Sequence, residues 1–94
     1  MNAYLDGEEI RDERDFHNHI ASALDFSQYY GGNLDALWDF LGDTPRPVTL
    51  TWKNSATARE RLGERFEAIV RILRNAEAED RAKPPEKRFV LVLA

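Results

Sequence analysis

Residues 29–39 read Tyr29-Tyr30-Gly31-Gly32-Asn33-Leu34-Asp35-Ala36-Leu37-Trp38-Asp39, and the arrangement of this 94-residue chain follows from them. Two aromatic residues lead into two glycines, which permit the backbone angles of a tight loop. Asn33 is a favoured N-cap, because its side-chain oxygen can accept a hydrogen bond from a free amide of the first helical turn. The stretch therefore predicts a loop that runs directly into a helix from about Leu34 to Leu41, with Gly42 ending the helix.

The predicted helix has an apolar face and an acidic face. The apolar residues recur at helical spacing and are Leu34, Leu37, Trp38 and Leu41. Asp35 and Asp39 lie four residues apart and point together in another direction, where their like charges repel and weaken the isolated helix. The spacing leaves two interpretations open: ordinary solvated acids on an amphipathic helix, or acids that serve a function rather than stability.

Tyr29, Tyr30 and Trp38 also allow two interpretations. Aromatic side chains pack loops onto a core, and two of these three could do so. Tyr and Trp are also enriched at the energetic centres of protein interfaces, where they offer a large rigid area and a polar tip. Aromatic anchors, outward carboxylates and glycines that let a partner's backbone approach closely suit an inhibitory surface better than an active site.

The same stretch closely resembles the signature of the barstar family, the intracellular protein inhibitors of barnase-type, guanyl-preferring microbial ribonucleases. The resemblance runs from Tyr4–Glu8 to Phe89–Leu93 and is sharpest between Tyr29 and Leu41. It implies an α/β fold of three parallel strands with helices packed on them. It also favours a functional role for the two acids.

Length and composition exclude several classes of protein. Ninety-four residues make one small domain, 1–94, and 43% hydrophobic with 32% charged residues is typical of a folded soluble protein rather than a disordered one. The absence of cysteine excludes a disulfide scaffold and a thiolate metal site. No signal-peptide pattern or membrane-spanning apolar run is present, so we expect a cytoplasmic protein. A formal net charge of −4 argues against nucleic acid as the direct partner and is compatible with a basic protein.

Hydrophobic periodicity and turn residues predict strands that alternate with helices. The predicted elements are a strand near 2–6, a helix from about Glu13 to Leu24 or Asp25, the helix described above, a strand at Val48–Trp52, a short helix ending at Leu62, a long helix at Glu64–Glu79, an exposed connection at Arg81–Arg88 and a strand at Phe89–Leu93. This order predicts an α/β fold with a small three-stranded parallel sheet and about four helices. The last strand is apolar throughout, so we expect it to be covered on both faces and away from a solvated edge.

The sequence contains little that supports catalysis or metal binding. His17 and His19 lie two residues apart, which places them on different faces of a helix, so we expect no metal site and no cofactor. Neither a nucleophile elbow nor a P-loop is present. Asp35 and Asp39 could act as an acid–base pair, but no basic group that would hold a phosphate lies near them in sequence.

The resemblance assigns roles to individual positions. In barstar the motif loop and helix plug the ribonuclease active site, and an acid takes the place of a substrate phosphate. Asp39 matches that acid and Asp35 matches its acidic neighbour. The resemblance also implies a ribonuclease-binding role for the other motif positions, which are Tyr29, Tyr30, Gly31, Asn33, Leu34 and Trp38.

Three departures from the barstar pattern concern the periphery of this surface. Asn75 stands where barstar has an acid in its last helix, and Gly32 replaces a glutamate of the motif. The segment Gly42-Asp43-Thr44-Pro45 differs from the corresponding loop and is one residue shorter. Gly42, Asp43, Thr44 and Asn75 therefore join the candidate binding residues, with Asp43 supplying charge lost elsewhere. We expect the plug to be kept and the preferred ribonuclease to differ from barnase itself.

The leading hypothesis is a stoichiometric inhibitor, not an enzyme, that binds a secreted guanyl-preferring ribonuclease. We expect it to be a monomer when free, with no membrane partner and no direct contact with nucleic acid. One alternative is an immunity or antitoxin protein directed against a different toxin nuclease. Another is a small hydrolase that uses Asp35 and Asp39.

Overall fold

The structure, a computed structural model, describes residues 1–94 and contains three β-strands and four α-helices. The elements in chain order are β1 (Asn2–Asp6), α1 (Glu13–Ala23), α2 (Leu34–Asp43), β2 (Val48–Lys53), α3 (Ser55–Leu62), α4 (Glu64–Glu79) and β3 (Phe89–Leu93). Short 3₁₀ turns lie at Gly7–Glu9 and Pro85–Lys87. The predicted α/β fold is confirmed, and none of the helices has the length and apolar character needed to cross a membrane.

The sheet has the order β1-β2-β3, and both pairs of strands are parallel. Because each strand is added on the same side of the last, right-handed crossovers place both sets of helices on one face. That face carries the buried residues, which are Ala3, Leu5, Val48, Leu50, Trp52, Phe89 and Leu91. The opposite face is open, and its row Tyr4–Thr51–Val92 includes a Val92 that is 40% exposed.

The expectation that β3 is covered on both faces is therefore wrong, and β3 lies at an edge of the sheet. The edge position of β3 follows from the strand order, which the apolar run of Phe89–Leu93 does not reveal. The free edge of β3 is nevertheless closed by side chains near the end of α4. Asp80 accepts from the Phe89 amide at 2.8 Å, and Glu77 accepts from the Leu91 amide at 2.9 Å. Arg74 donates to the Leu91 carbonyl at 3.0 Å, so the edge offers few free backbone groups to another strand.

The core lies between the sheet and the helices. Trp52 of β2 stacks on Phe16 of α1 with ring centroids 5.3 Å apart and contacts Phe66 of α4 at 5.1 Å. Leu37 and Leu41 are fully buried and fix α2 on this core. Burying a side chain of this size contributes about 1.5–3 kcal/mol, so the apolar face of α2 holds the helix in place.

The two ends of α2 are closed in different ways. Asn33 caps the N-terminus as predicted, and its Oδ1 accepts from the Ala36 amide at 2.8 Å. Gly42 does not end the helix, which continues to Asp43. Thr44 is the C-cap instead: it precedes Pro45 and is extended, and its hydroxyl donates to the Phe40 carbonyl at 2.8 Å.

Arg46 and Asp80 form a buried ion pair, here called the clamp, with Arg46 Nε 2.9 Å from Asp80 Oδ2. Arg46 Nη1 also donates to the carbonyls of Leu41 and Thr44, at the C-terminal end of α2. Asp80 is 2% exposed and accepts from the amide that opens β3. The clamp therefore joins the ends of α2 and α4 to the start of β3.

The carboxyl group of Asp80 remains ionised although it is buried. Burial alone would raise its pKa, but hydrogen bonds from Lys83, Arg46 and the Phe89 amide outweigh burial and lower the pKa from 3.8 to about 2. Since the folded-state pKa lies below the unfolded value, the charged form stabilises the fold above about pH 4. That contribution disappears as the pH falls through about 2.

We predict that Asp80→Asn is destabilised most at neutral pH, because it leaves the Arg46 charge buried without its partner. The difference in unfolding free energy from the wild type should shrink by about 2 kcal/mol between pH 4 and pH 2. Chemical denaturation of both proteins across this range measures the difference, and the remaining carboxyl groups cancel because they titrate in both. Parallel pH profiles would contradict the assignment.

Candidate functional site

Three aspartates line the outward face of α2. Asp35 and Asp39 are exposed, as predicted, and the extra helical length adds Asp43 one turn further on. None of the three takes part in a side-chain hydrogen bond or in any of the seven ion pairs of the chain. These residues (Asp35, Asp39 and Asp43) are called the acidic stripe below.

The acidic stripe destabilises α2, the helix that carries it. Like charges four residues apart repel, and each such pair costs about 0.2–0.5 kcal/mol. Asp43 is the last residue of α2, where the negative end of the helix dipole disfavours a carboxylate. Helix stability therefore does not explain the stripe, apart from Asp35 in the favourable first turn.

A groove of about 490 Å³ runs between α2 and α4. Asp35, Trp38 and Asp39 line one wall with Leu34, and Ile72 and Asn75 line the other. The structure thus brings Asn75 beside the acidic stripe although it lies far away in sequence. The side chain is exposed and uncharged, so it adds hydrogen-bonding capacity rather than negative charge.

A second cavity of about 700 Å³ adjoins this groove and shares Trp38 and Asp39 with it. Gly42 and the buried Thr44 lie on its α2 side, and the hydroxyl of Thr44 is occupied by the Phe40 carbonyl. The remaining residues around it come from the clamp, from the end of α4 and from the following connection, and they are Arg46, Ala76, Glu79, Asp80, Lys83 and Lys87. Trp38 and Asp39 therefore lie at the centre of the candidate surface.

Among the residues of this surface that lie outside the motif and residues 42–44, only Asn75 was predicted from the sequence. Glu79 follows Asn75 by one helical turn, so the spacing along α4 could have identified it. Arg46, Lys83 and Lys87 carry no comparable signal. They reach the cavity only because the clamp holds the ends of three elements together.

The three aromatic residues of the motif differ in exposure. Tyr30 is half-buried and packs against Phe26 and Phe40, with ring centroids 4.8 Å and 5.1 Å away. Tyr29 is 81% exposed and Trp38 is 40% exposed. Only Tyr30 therefore packs as a core residue, one fewer than the two considered above, and the other two remain accessible to a partner.

Tyr30 is also held by a chain of polar contacts that sequence spacing did not indicate. Its hydroxyl lies 2.6 Å from Nδ1 of His17, and Nε2 of His17 lies 3.0 Å from Glu13. Glu13 is in turn bonded to Arg65 of α4. A carboxylate can only accept, so Nε2 of His17 donates to Glu13, and the Tyr30 hydroxyl is the partner of Nδ1. The network fastens the motif loop to both α1 and α4.

Two groups of this network, Tyr30 and Glu13, have shifted pKa values. Burial raises the pKa of Tyr30, so its hydroxyl keeps its proton. The hydrogen bond from Arg65 is the main cause of the lowered pKa of Glu13, and His17 adds to it. Glu13 therefore remains an anionic acceptor at neutral pH.

Gly31 and Gly32 form an exposed turn beside this network. Gly32 has a φ of +68°, in the left-handed region that a residue with a Cβ rarely adopts. Glycine at position 32 thus suits the backbone conformation of the turn.

Two comparisons place the chain among known proteins. The family model described as Barstar (barnase inhibitor) matches residues 1–93. A protein of Bacillus subtilis (strain 168), named Putative ribonuclease inhibitor YrdF, is 36% identical over 76 residues, which cover 80% of this chain and 84% of that protein.

We predict that Tyr30→Phe lowers the unfolding free energy by about 1–2 kcal/mol, because it leaves Nδ1 of the buried His17 without a partner. Tyr29→Phe removes the same hydroxyl from an exposed ring and should change stability by less than about 0.5 kcal/mol. Urea denaturation compares the two variants. Equal losses would mean that the contact with His17 does not anchor the loop.

Proposed function

We propose that this chain, which belongs to the barstar family, inhibits a ribonuclease by filling its active site with the acidic stripe and the aromatic residues beside it. One observation carries the proposal: three exposed aspartates follow one another along α2 without an internal cation and at a cost to helix stability. Such an arrangement is accounted for when the counter-charges belong to another molecule.

The chemistry of a ribonuclease supplies those counter-charges. An enzyme that cleaves RNA holds an anionic phosphate with cationic donors, and a carboxylate can accept from the same donors. At an effective dielectric constant near 20, one unit-charge contact at 4 Å contributes about 4 kcal/mol before desolvation. Asp39 lies at the centre of the surface and is our choice for the residue that takes the place of the phosphate, with Asp35 beside it.

The structure presents these carboxylates from a rigid helix. Asn33 caps its first turn, the clamp bonds its last carbonyls, and Leu37 and Leu41 are buried beneath it. A surface that is already ordered loses little conformational entropy when a partner binds. Tyr29 and Trp38 flank the carboxylates as exposed anchors.

An inhibitor is favoured over a hydrolase by the surroundings of Asp35 and Asp39. A carboxylate acts as a general acid when burial or a close charge sets it apart from its partner. Both carboxylates here are exposed and unpaired. We further propose that the target is a secreted guanyl-preferring ribonuclease and that the chain acts in the cytoplasm as a monomer, as the resemblance implies.

The test is a titration of purified guanyl-preferring microbial ribonucleases, barnase among them, with the intact chain. We expect RNA cleavage by at least one of them to fall linearly and to vanish at one molar equivalent. Absence of inhibition throughout the panel at micromolar concentration would overturn the proposal. Cleavage of RNA by the chain itself would instead favour the hydrolase.

We predict that Asp39→Asn raises the inhibition constant about 30-fold or more, because the amide keeps the shape of the carboxylate but not its charge. Losing one partner of a desolvated charge pair costs about 2–5 kcal/mol, a range set in part by the barnase–barstar complex itself.

Asp25→Asn is the matched control, since it makes the same charge change at an exposed residue whose φ of 57° asparagine tolerates. Its inhibition constant should stay within about twofold of the wild type, and both variants should unfold like the wild type. An unchanged constant for Asp39→Asn would exclude this residue as the phosphate mimic.

A further inference from the structure

The connection between α4 and β3 has a charge opposite to that of the chain. Residues 81–88 contain four basic side chains, Arg81, Lys83, Lys87 and Arg88, and one acidic side chain, Glu86, whereas the whole chain has a formal net charge of −4. This segment is called the basic connection below. Lys83 and Lys87 line the cavity that Asp39 also lines.

The basic connection is held in a fixed shape. The Lys83 amide donates to the Asp80 carbonyl at 2.9 Å, and the Lys87 amide donates to the Pro84 carbonyl at 2.9 Å. Arg88 bonds the Lys83 carbonyl, and two consecutive prolines restrict the turn further. Lys87 is therefore presented from an ordered turn rather than from a loose loop.

Three charges around the cavity have no partner within the chain, whereas the other three are paired with one another. Asp80 serves two cations, because Arg46 bonds one of its oxygens and Lys83 bonds the other. Lys87 has no ion pair and no side-chain hydrogen bond, and the same holds for Asp39 and Glu79. The unpaired charges of the cavity are thus negative on the helices, at Asp39 and Glu79, and positive on the basic connection, at Lys87.

We propose that Lys87 binds a carboxylate of the partner protein while the acidic stripe binds the partner's cationic site. This inference rests on the proposed function and deepens it: the preferred ribonuclease carries an acidic group beside its phosphate-binding site. A partner surface of uniformly positive charge would be repelled by Lys87, so the basic connection selects among ribonucleases.

RNA fits this cavity less well than a protein of mixed charge does. Its phosphates would be attracted by Lys87 but repelled by the unpaired Asp39 and Glu79 of the same cavity. A protein surface can match both signs at once. The basic connection is therefore assigned to the protein partner and not to nucleic acid.

Lys87→Glu tests this inference, with Lys53→Glu as the matched control. Each substitution changes the formal net charge by −2, from −4 to −6. Lys53 is exposed and lies at the other end of the sheet, where it contacts the Tyr4 ring. Inhibition constants are measured at about 50 mM salt against the ribonuclease of the panel that the wild type inhibits most tightly, and thermal unfolding confirms that both variants fold.

We expect Lys87→Glu to weaken inhibition about tenfold or more and Lys53→Glu to weaken it less than about threefold. The excess loss should shrink as salt is raised, because it is electrostatic. Reversing the partner's acidic group to lysine should restore inhibition by Lys87→Glu.

The contrary outcomes are distinct from one another. If the wild type and Lys53→Glu inhibit and Lys87→Glu inhibits equally well, this inference is overturned while the proposed function stands. If the wild type inhibits no ribonuclease of the panel, both are overturned. If the free wild-type chain binds a labelled RNA oligonucleotide and Lys87→Glu abolishes that binding, the basic connection is an RNA contact and this inference is overturned.

Discussion

The buried clamp between Arg46 and Asp80 is the interaction on which the presentation of α2 depends. Removing an ion pair from water is costly, and the cost is offset only when the remaining hydrogen-bonding groups are satisfied. That condition is met here, because Asp80 accepts from Arg46, Lys83 and a backbone amide while Arg46 also donates to two carbonyls. The guanidinium brings a positive charge to the end of α2, where the helix dipole favours one. One pair thus fixes the end of the helix and the cavity beside it.

The candidate surface contains both side chains that destabilise α2 and contacts that stabilise it. The acidic stripe weakens α2, and the fold compensates with a cap at Asn33, buried leucines beneath the helix and the clamp at its end. The motif loop is held in the same manner, since Tyr30 is fastened through His17 while Tyr29 stays accessible. The exposed side chains of the candidate surface therefore have buried neighbours that hold their backbone. This division keeps the candidate surface ordered in the free chain.

Local patterns in the sequence predicted the helices and strands well. Contacts between residues far apart in the sequence were not predicted. The cap at Asn33 and the bounds of α4 follow from residue types and helical periodicity, which act over a few positions. The extension of α2 past Gly42 was missed because Gly42 stays helical and the chain leaves the helix only at Thr44, before Pro45. The edge position of β3 depends on strand order, and the clamp joins residues 34 positions apart. The outward acids were predicted, whereas the unpaired Lys87 in the cavity beside them was not.

The central claim is that the carboxylates of α2 occupy the place of an RNA phosphate in the partner's active site. Competition with a mononucleotide addresses it most directly: the dissociation constant of the chain for an inhibited ribonuclease is measured at increasing concentrations of guanosine 3′-phosphate. If both occupy the same cationic site, the apparent dissociation constant rises in proportion to the nucleotide concentration and no ternary complex forms. A dissociation constant that stays unchanged at saturating nucleotide would contradict the account.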